Sequence, residues 1–178
     1  RVTVDEAYSG DIVGVWDPGV LRIGDALSTG PDVEFDGIPR FSPEHFAVAR
    51  GTDPSKHKQF RKGIEQLDQE GVIQVLRSDR RGDQAPVFAA VGPMQFEVAS
   101  HRMAAEFSAP IQLEPLPYTV ARAADPDDAE LLGKQSSVEV FTRTDGVILA
   151  VFSTKWRLEN VQRDNPDLRL RSLVAAGD

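Results

Sequence analysis

The sequence predicts an α+β fold made of split β-α-β units, and three observations predict it. The order β-α-β-β-α-β can be read once between residues 46 and 113 and again, over about 55 residues, from Tyr118 onward. Three of the four helical stretches open on a proline in the first turn, at Pro54, Pro93 and Pro126, where the missing N–H costs nothing. The strand-like runs are short and apolar and are separated by Gly, Asp and Pro. Together these give the ferredoxin-like plan, with two such units in tandem related by element order alone.

Residues 1–36 read as short strands broken by Gly and Asp. Ile12 to Trp16 and Val20 to Ile23 are apolar, and Asp17-Pro18-Gly19 is a turn between them. Two or three strands bury too little surface to stand alone, so they belong to a larger sheet or barrel or pack onto the remainder of the chain. The texture changes at Gly37-Ile38-Pro39. Phe46 to Arg50 is a strand, Asp53-Pro54 caps a helix with Phe60, Ile64 and Leu67 on one face, and Gly71 ends it. Val72 to Leu76 and Val87 to Val91 are strands flanking the polar loop Ser78 to Gln84. Pro93 opens a helix lined by Phe96, Ala99, Met103 and Phe107, and a strand near Ile111 to Leu113 completes the first unit.

In the second unit Tyr118 to Ala123 is a strand and Asp125-Pro126 starts a helix. Val138 to Thr142 and Val147 to Phe152 flank the hairpin signal Asp145-Gly146. Ser153 or Thr154 caps a helix carrying Trp156 and Val161, which stops before Asn165-Pro166, and Leu168 to Leu173 is a last strand. A split β-α-β sheet packs its helices on one face and leaves the other available to a neighbour, so two units in series are expected to form a stiff arm.

The chain has 178 residues, enough for one domain or one domain and part of another. Its net charge of -8 opposes indiscriminate binding to nucleic acid or anionic membrane. That charge is uneven: residues 1–36 hold two basic and eight acidic residues, whereas the rest hold eighteen and twenty. The absence of cysteine excludes disulfides, thiolate metal sites and cysteine nucleophiles. No apolar run approaches the roughly 20 residues of a membrane-spanning helix. The opening Arg1-Val2-Thr3-Val4, strand-like and without an initiator Met, reads as the start of a fragment.

Catalytic patterns are sparse. His45, His57 and His101 are scattered and read as surface or half-buried structural residues, and no G-x-S-x-G elbow occurs. Neither G-x-x-x-x-G-K-[ST] nor G-x-G-x-x-G occurs, so the D-x-x-G strings Asp11 to Gly14 and Asp79 to Gly82 read as turns. Asp125, Asp127 and Asp128 fit a helix start better than a calcium loop, and Glu65, Asp68 and Glu70 read as a solvated helix face. No catalytic, cofactor-binding or metal-ligating residue is expected.

Basic residues are more informative. Between residues 50 and 63 five cations stand against one carboxylate, and helical spacing puts Lys58, Arg61 and Lys62 on one face beside Glu65. Arg77, Arg80 and Arg81 follow at a strand end and in its loop, and Arg157, Arg163, Arg169 and Arg171 lie near the C-terminus. One reading is a solubilising face. The other is contact with the phosphates of a structured RNA.

The runs A-Y-S-G-D-I-V-G-V at 7–15 and I-G-D-A-L at 23–27 resemble the closing strands of the β-barrel domain of translational GTPases. The stretch D-P-S-K-H-K-Q-F-R-K-G-I-E-Q-L-D-Q-E-G-V-I-Q-V at 53–75, with A-V-G-P-M-Q-F-E-V at 90–98 and R-M-A-A-E-F at 102–107, resembles the bacterial peptide chain release factor 3 family. Gln66, Leu67, Glu70, Gly71, Gln74 and Val75 favour it over elongation factor G.

The resemblance implies a cytoplasmic GTPase that promotes removal of class-one release factors from the ribosome after peptide release. Residues 1–36 would be the last part of its β-barrel and 37–178 its C-terminal α/β domain. The GTP-binding part would lie outside this stretch, so GTP or GDP and Mg belong to the parent protein and this portion is no enzyme by itself. The implied partners are the ribosome, class-one release factors and the chain's own GTP-binding domain, with no membrane. From charge alone, Lys58, Arg61, Lys62, Arg80 and Arg81 are the candidate ribosome contacts. A self-contained ferredoxin-like module sensing a small molecule, and the equivalent part of an elongation-factor-G-like GTPase, are the alternatives.

Overall fold

The structure, a computed structural model, describes residues 3–18, 20, 21, 23–33, 35, 41–78, 80–82 and 85–173. It divides into two compact units, Arg1–Phe35 and Asp36–Asp178.

In the first unit Tyr8 to Asp11 closes a tight turn. The Asp11 N–H donates to the Tyr8 carbonyl at 3.0 Å, and Gly10 takes φ +96°, the left-handed position a type II turn requires. The turn therefore precedes Asp11 and does not span Asp11 to Gly14 as expected. Asp17 accepts from the Val20 and Leu21 amides. The strands expected at Ile12 to Trp16 and Val20 to Ile23 are not formed among the described residues, and Ile12, Trp16 and Val20 stand exposed. An extended segment becomes a strand only when a neighbour pairs its N–H and C=O groups, and among the described residues none does. Gly19 and the boundary at Gly37-Ile38-Pro39 lie outside the described residues.

The second unit contains β1 (His45–Gly51), a 3₁₀ turn (Pro54–Lys56), α1 (His57–Gln69), β2 (Gln74–Arg77), β3 (Val87–Ala90), α2 (Pro93–Ala105), β4 (Ile111–Leu116), β5 (Val120–Ala124), α3 (Pro126–Gly133), β6 (Val138–Arg143), β7 (Ile148–Phe152) and α4 (Lys155–Asp164). Asp53 caps the 3₁₀ turn through the Ser55 amide at 2.8 Å. Gly71 takes φ +70° and stops α1. Thr144, Asp145 and Gly146 form a three-residue hairpin loop with Gly146 at φ +85°.

Seven strands form one sheet in the order β4-β1-β3-β2-β6-β7-β5, antiparallel throughout. The first four give the ferredoxin-like order. The second half repeats it with β6-β7-β5, but its fourth strand is reduced to one bridge, Ala123 to Arg171. The strand expected over Leu168 to Leu173 is not continuous because its polar groups have other partners. The Arg169 amide donates to Asp128 at 2.9 Å, and the Arg171 guanidinium donates to Asp125 at 2.8 Å.

The halves meet through equivalent strands. β2 pairs with β6 over only two residue pairs, Leu76 with Arg143 and Arg77 with Thr142. On the outer face of the first half, Phe60, Ile64 and Leu67 of α1 and Ala99 and Met103 of α2 cover Ala49, Val75 and Phe88. On the outer face of the second, Leu132 of α3 and Leu158 and Val161 of α4 cover Val138, Ala150 and Phe152. The inner faces pack on each other: Phe46, Val48, Leu76 and Val87 share one cluster with Ala121, Phe141, Leu149 and Val151. Burying each large apolar side chain contributes about 1.5–3 kcal/mol, and this inner layer holds many of them.

The one sheet thus folds at the short β2–β6 ladder into two facing layers, with the helices outside each. The sheet face expected to be available to a neighbour is closed by the other half, and the units are back to back where an arm in series was expected. Edge strand β4 carries Pro115 opposite Ala47, so the missing N–H points away from β1.

Candidate functional site

Lys58, Arg61 and Lys62 all lie exposed on α1, whose opposite side is buried by Phe60, Ile64 and Leu67. None forms an ion pair among the described residues. At its start α1 lies against the end of β1, where Gly51 approaches the Phe60 ring. At its other end the Asp68 carboxylate accepts from the Val75 amide of β2 at 3.0 Å. The cationic first turns of α1 therefore lie at the sheet end from which β2 delivers Arg80 and Arg81.

Those two arginines differ from the three cations on α1, because both are engaged across the junction between the halves. Arg80 donates to the carbonyl of Gly133 at the C-terminal end of α3, where a cation is favoured by the helix dipole. Arg81 makes a two-pronged contact with Glu139 of β6, Nε to Oε1 at 2.6 Å and Nη2 to Oε2 at 2.7 Å. Glu139 is 5% exposed and Arg81 26%, and the Tyr118 hydroxyl donates to the same carboxylate at 2.8 Å. The Glu139 hydrogen bond raises the Arg81 pKa, while burial first, and then Glu139, raise that of Tyr118.

A second set of polar contacts ties the other end of the short β2–β6 ladder. Thr144 donates to Asp68 at 2.6 Å, and Arg143 donates to Gln74 at 3.3 Å while holding Asp145 at 2.7 Å. Asp68 is therefore buried and is not part of the solvated face expected for it. Glu65 is exposed, and Glu70 is bound by Arg102, which lowers its pKa.

Asp125 and Asp128 hold the C-terminal segment, and among the described residues no three His, Asp or Glu side chains gather as a metal-ion set. His45 is partly buried on β1, whereas His57 at the start of α1 and His101 on α2 are exposed. No helix of the described residues is long and apolar enough to cross a membrane.

Residues 35–162 match the family model described as class II release factor RF3, C-terminal domain. The chain belongs to that family. Peptide chain release factor 3 of Symbiobacterium thermophilum is 44% identical over 177 residues, which cover 99% of this chain and 34% of that protein. The protein of the same name from Synechococcus elongatus is 41% identical over 99% of this chain and 33% of its own length. That from Gloeobacter violaceus is 41% identical over 98% of this chain and 33% of its own. The chain spans about a third of the length of these curated relatives.

Two features of this release factor 3 C-terminal domain escape sequence reasoning. Trp156 and Val161 share α4, and Val161 is buried, but Trp156 is 61% exposed with the Arg157 guanidinium 5.3 Å from its ring centre. The second is the junction, which joins residues such as Arg80 and Gly133 that are 53 positions apart. No local spacing signals such a contact.

Proposed function

We propose that this chain is the C-terminal docking portion of a translation termination factor, a GTPase that promotes departure of class-one release factors from the ribosome in the cytoplasm. Residues 1–36 complete a β-barrel, and residues 37–178 form the domain that meets ribosome and partner factor. GTP and Mg are held by the part of the longer protein that carries the nucleotide site. The reading is carried by the exposed cations Lys58, Arg61 and Lys62 of α1 in a chain of this family. They lie at the sheet end that also presents Arg80. Lysine and arginine so placed supply sequence-independent affinity for RNA phosphates. Arg81 serves this surface as a positioning residue, fixing the loop through Glu139.

Replacing Lys58, Arg61 and Lys62 with Glu in the full-length protein is expected to weaken ribosome association. The slope of log affinity against log salt should become shallower by about one for each phosphate no longer neutralised. Equal affinity of the variant and the parent across a salt titration would overturn the assignment.

A further inference from the structure

Among the described residues of the larger unit, Trp156 is the aromatic side chain left most open, at 61% exposure. The helical period sets it well away from Leu158 and Val161, which α4 turns inward onto the sheet. The Arg157 guanidinium lies over one face of the indole, 5.3 Å from its centre, so the opposite face is the one open to a ligand. Lys155 and Arg157 are both exposed, and neither forms an ion pair among the described residues. Arg163 differs, because it donates to Asn160 at 2.6 Å and lies 3.8 Å from Asp164. In the first two turns of α4 the single carboxylate is Glu159, against the two unpaired cations beside the ring.

We propose that Trp156, with Lys155 and Arg157, docks an unpaired nucleobase of RNA. The base stacks on the open face of the indole, and the two cations meet the phosphates on either side of it. That the partner is RNA rests on the proposed function, whereas the ring and its flanking cations are independent of the α1 surface. Every base has a π face, so one indole adds affinity without selecting a sequence. Arg157 on the far side of the ring holds the indole by a cation–π contact and keeps its charge beside the stacked base.

A paired duplex stacks its bases on one another and offers an aromatic side chain nothing, so this site selects loops, bulges and ends. The α1 surface has cations without an exposed phenyl or indole ring on that helix, and any phosphate backbone serves it. A protein partner fits α4 less well. The core of a protein interface is depleted of charged residues, and on this helix the ring is flanked by Lys155, Arg157 and Glu159. Because α1 and α4 cover opposite outer faces, RNA held at both would have the domain between its two contacts.

The test is fluorescence-anisotropy titration of the full-length protein with a labelled oligoadenylate and with a fully paired RNA duplex of the same length. Both titrations are repeated for Trp156→Ala, for Trp156→Tyr and for the variant in which Lys58, Arg61 and Lys62 are replaced by Glu. Trp156→Ala should weaken oligoadenylate binding about tenfold, the loss of one stacked base, and leave duplex binding unchanged. Trp156→Tyr should keep most of the affinity, because a phenol ring also stacks. No saturable oligoadenylate binding, or binding unchanged by Trp156→Ala, would overturn the proposal. So would equal losses in Trp156→Tyr and Trp156→Ala, or equal losses on the two RNAs. The α1 variant should weaken duplex binding and leave the Trp156-dependent loss in place. Duplex binding untouched by that variant would count against the α1 surface alone, so the two readings stand or fall separately.

Discussion

The two halves of the larger unit share one topology but are finished differently. The first has four full strands and two helices of 13 residues each. The second has three strands, helices of 8 and 10 residues, and a single bridge in place of its fourth strand. In the first half α1 and α2 approach so closely that a Cβ on Gly63 would lie 2.6 Å from Met103 Sδ and 2.9 Å from the Phe107 ring. In the second, a Cβ on Gly133 of α3 would meet nothing within 4 Å. The repeat thus fixes strand order and inner-layer packing, whereas helix length, helix contact and edge strength vary freely around it. What the halves require of each other is concentrated at the seam.

The largest expected effect comes from breaking that seam. Arg81→Met leaves Glu139 buried without its cation and should cost about 3 kcal/mol in chemical denaturation. Combining it with Glu139→Leu should recover most of the loss, because two apolar groups in contact replace a desolvated pair. A double variant as unstable as the single one would show that the pair does more than compensate its own burial. Smaller effects come from the paired glycines. Gly63→Ala should destabilise by about 2 kcal/mol, since overpacking against Met103 and Phe107 outweighs the gain in helix propensity. Gly133→Ala should stabilise by a few tenths to about 1 kcal/mol, because its side chain meets open space. Equal signs for the two would erase the contrast between the helix layers.

The smallest effect is on pH dependence. Hydrogen bonds from Arg102 hold the Glu70 and Glu106 carboxyls below their ordinary range, with Gln66 adding to the effect on Glu70. A depressed carboxylate contributes stability that is present above the unfolded-state pKa and is lost as pH falls through the folded one. Stability should therefore decline from about pH 5 downward, and Arg102→Met should make that decline shallower. The second half, whose Glu130 is lowered only through an exposed pair with Lys134, should contribute little to it.

Much of this fold is legible in local sequence because the relevant signals are local. Asp53 before Pro54, Gly71 at the helix end, and Asp145-Gly146 between apolar runs each dictate a backbone conformation on their own. The seam is not legible. Asp68 follows Leu67 and, like Glu65, could face solvent on a free helix; the Val75 amide and the Thr144 hydroxyl, 76 positions away, show why it is buried. Arg80 and Arg81 look like the α1 cations in any charge count, and only the placement of Gly133 and Glu139 separates them. The segments at 12–23 and 168–173 have the composition of strands, yet strand formation depends on partners that composition does not specify.

Pro115 has a consequence for how molecules meet one another. Every open sheet offers its outermost row of amides to any passing extended peptide, and β4 is such a row. Along it the outward amides alternate with those bonded to β1, and one outward position is occupied by a ring that has no hydrogen to donate. A foreign strand attempting to add there meets a gap in its ladder, so this edge resists intermolecular strand addition and the aggregation that such addition seeds.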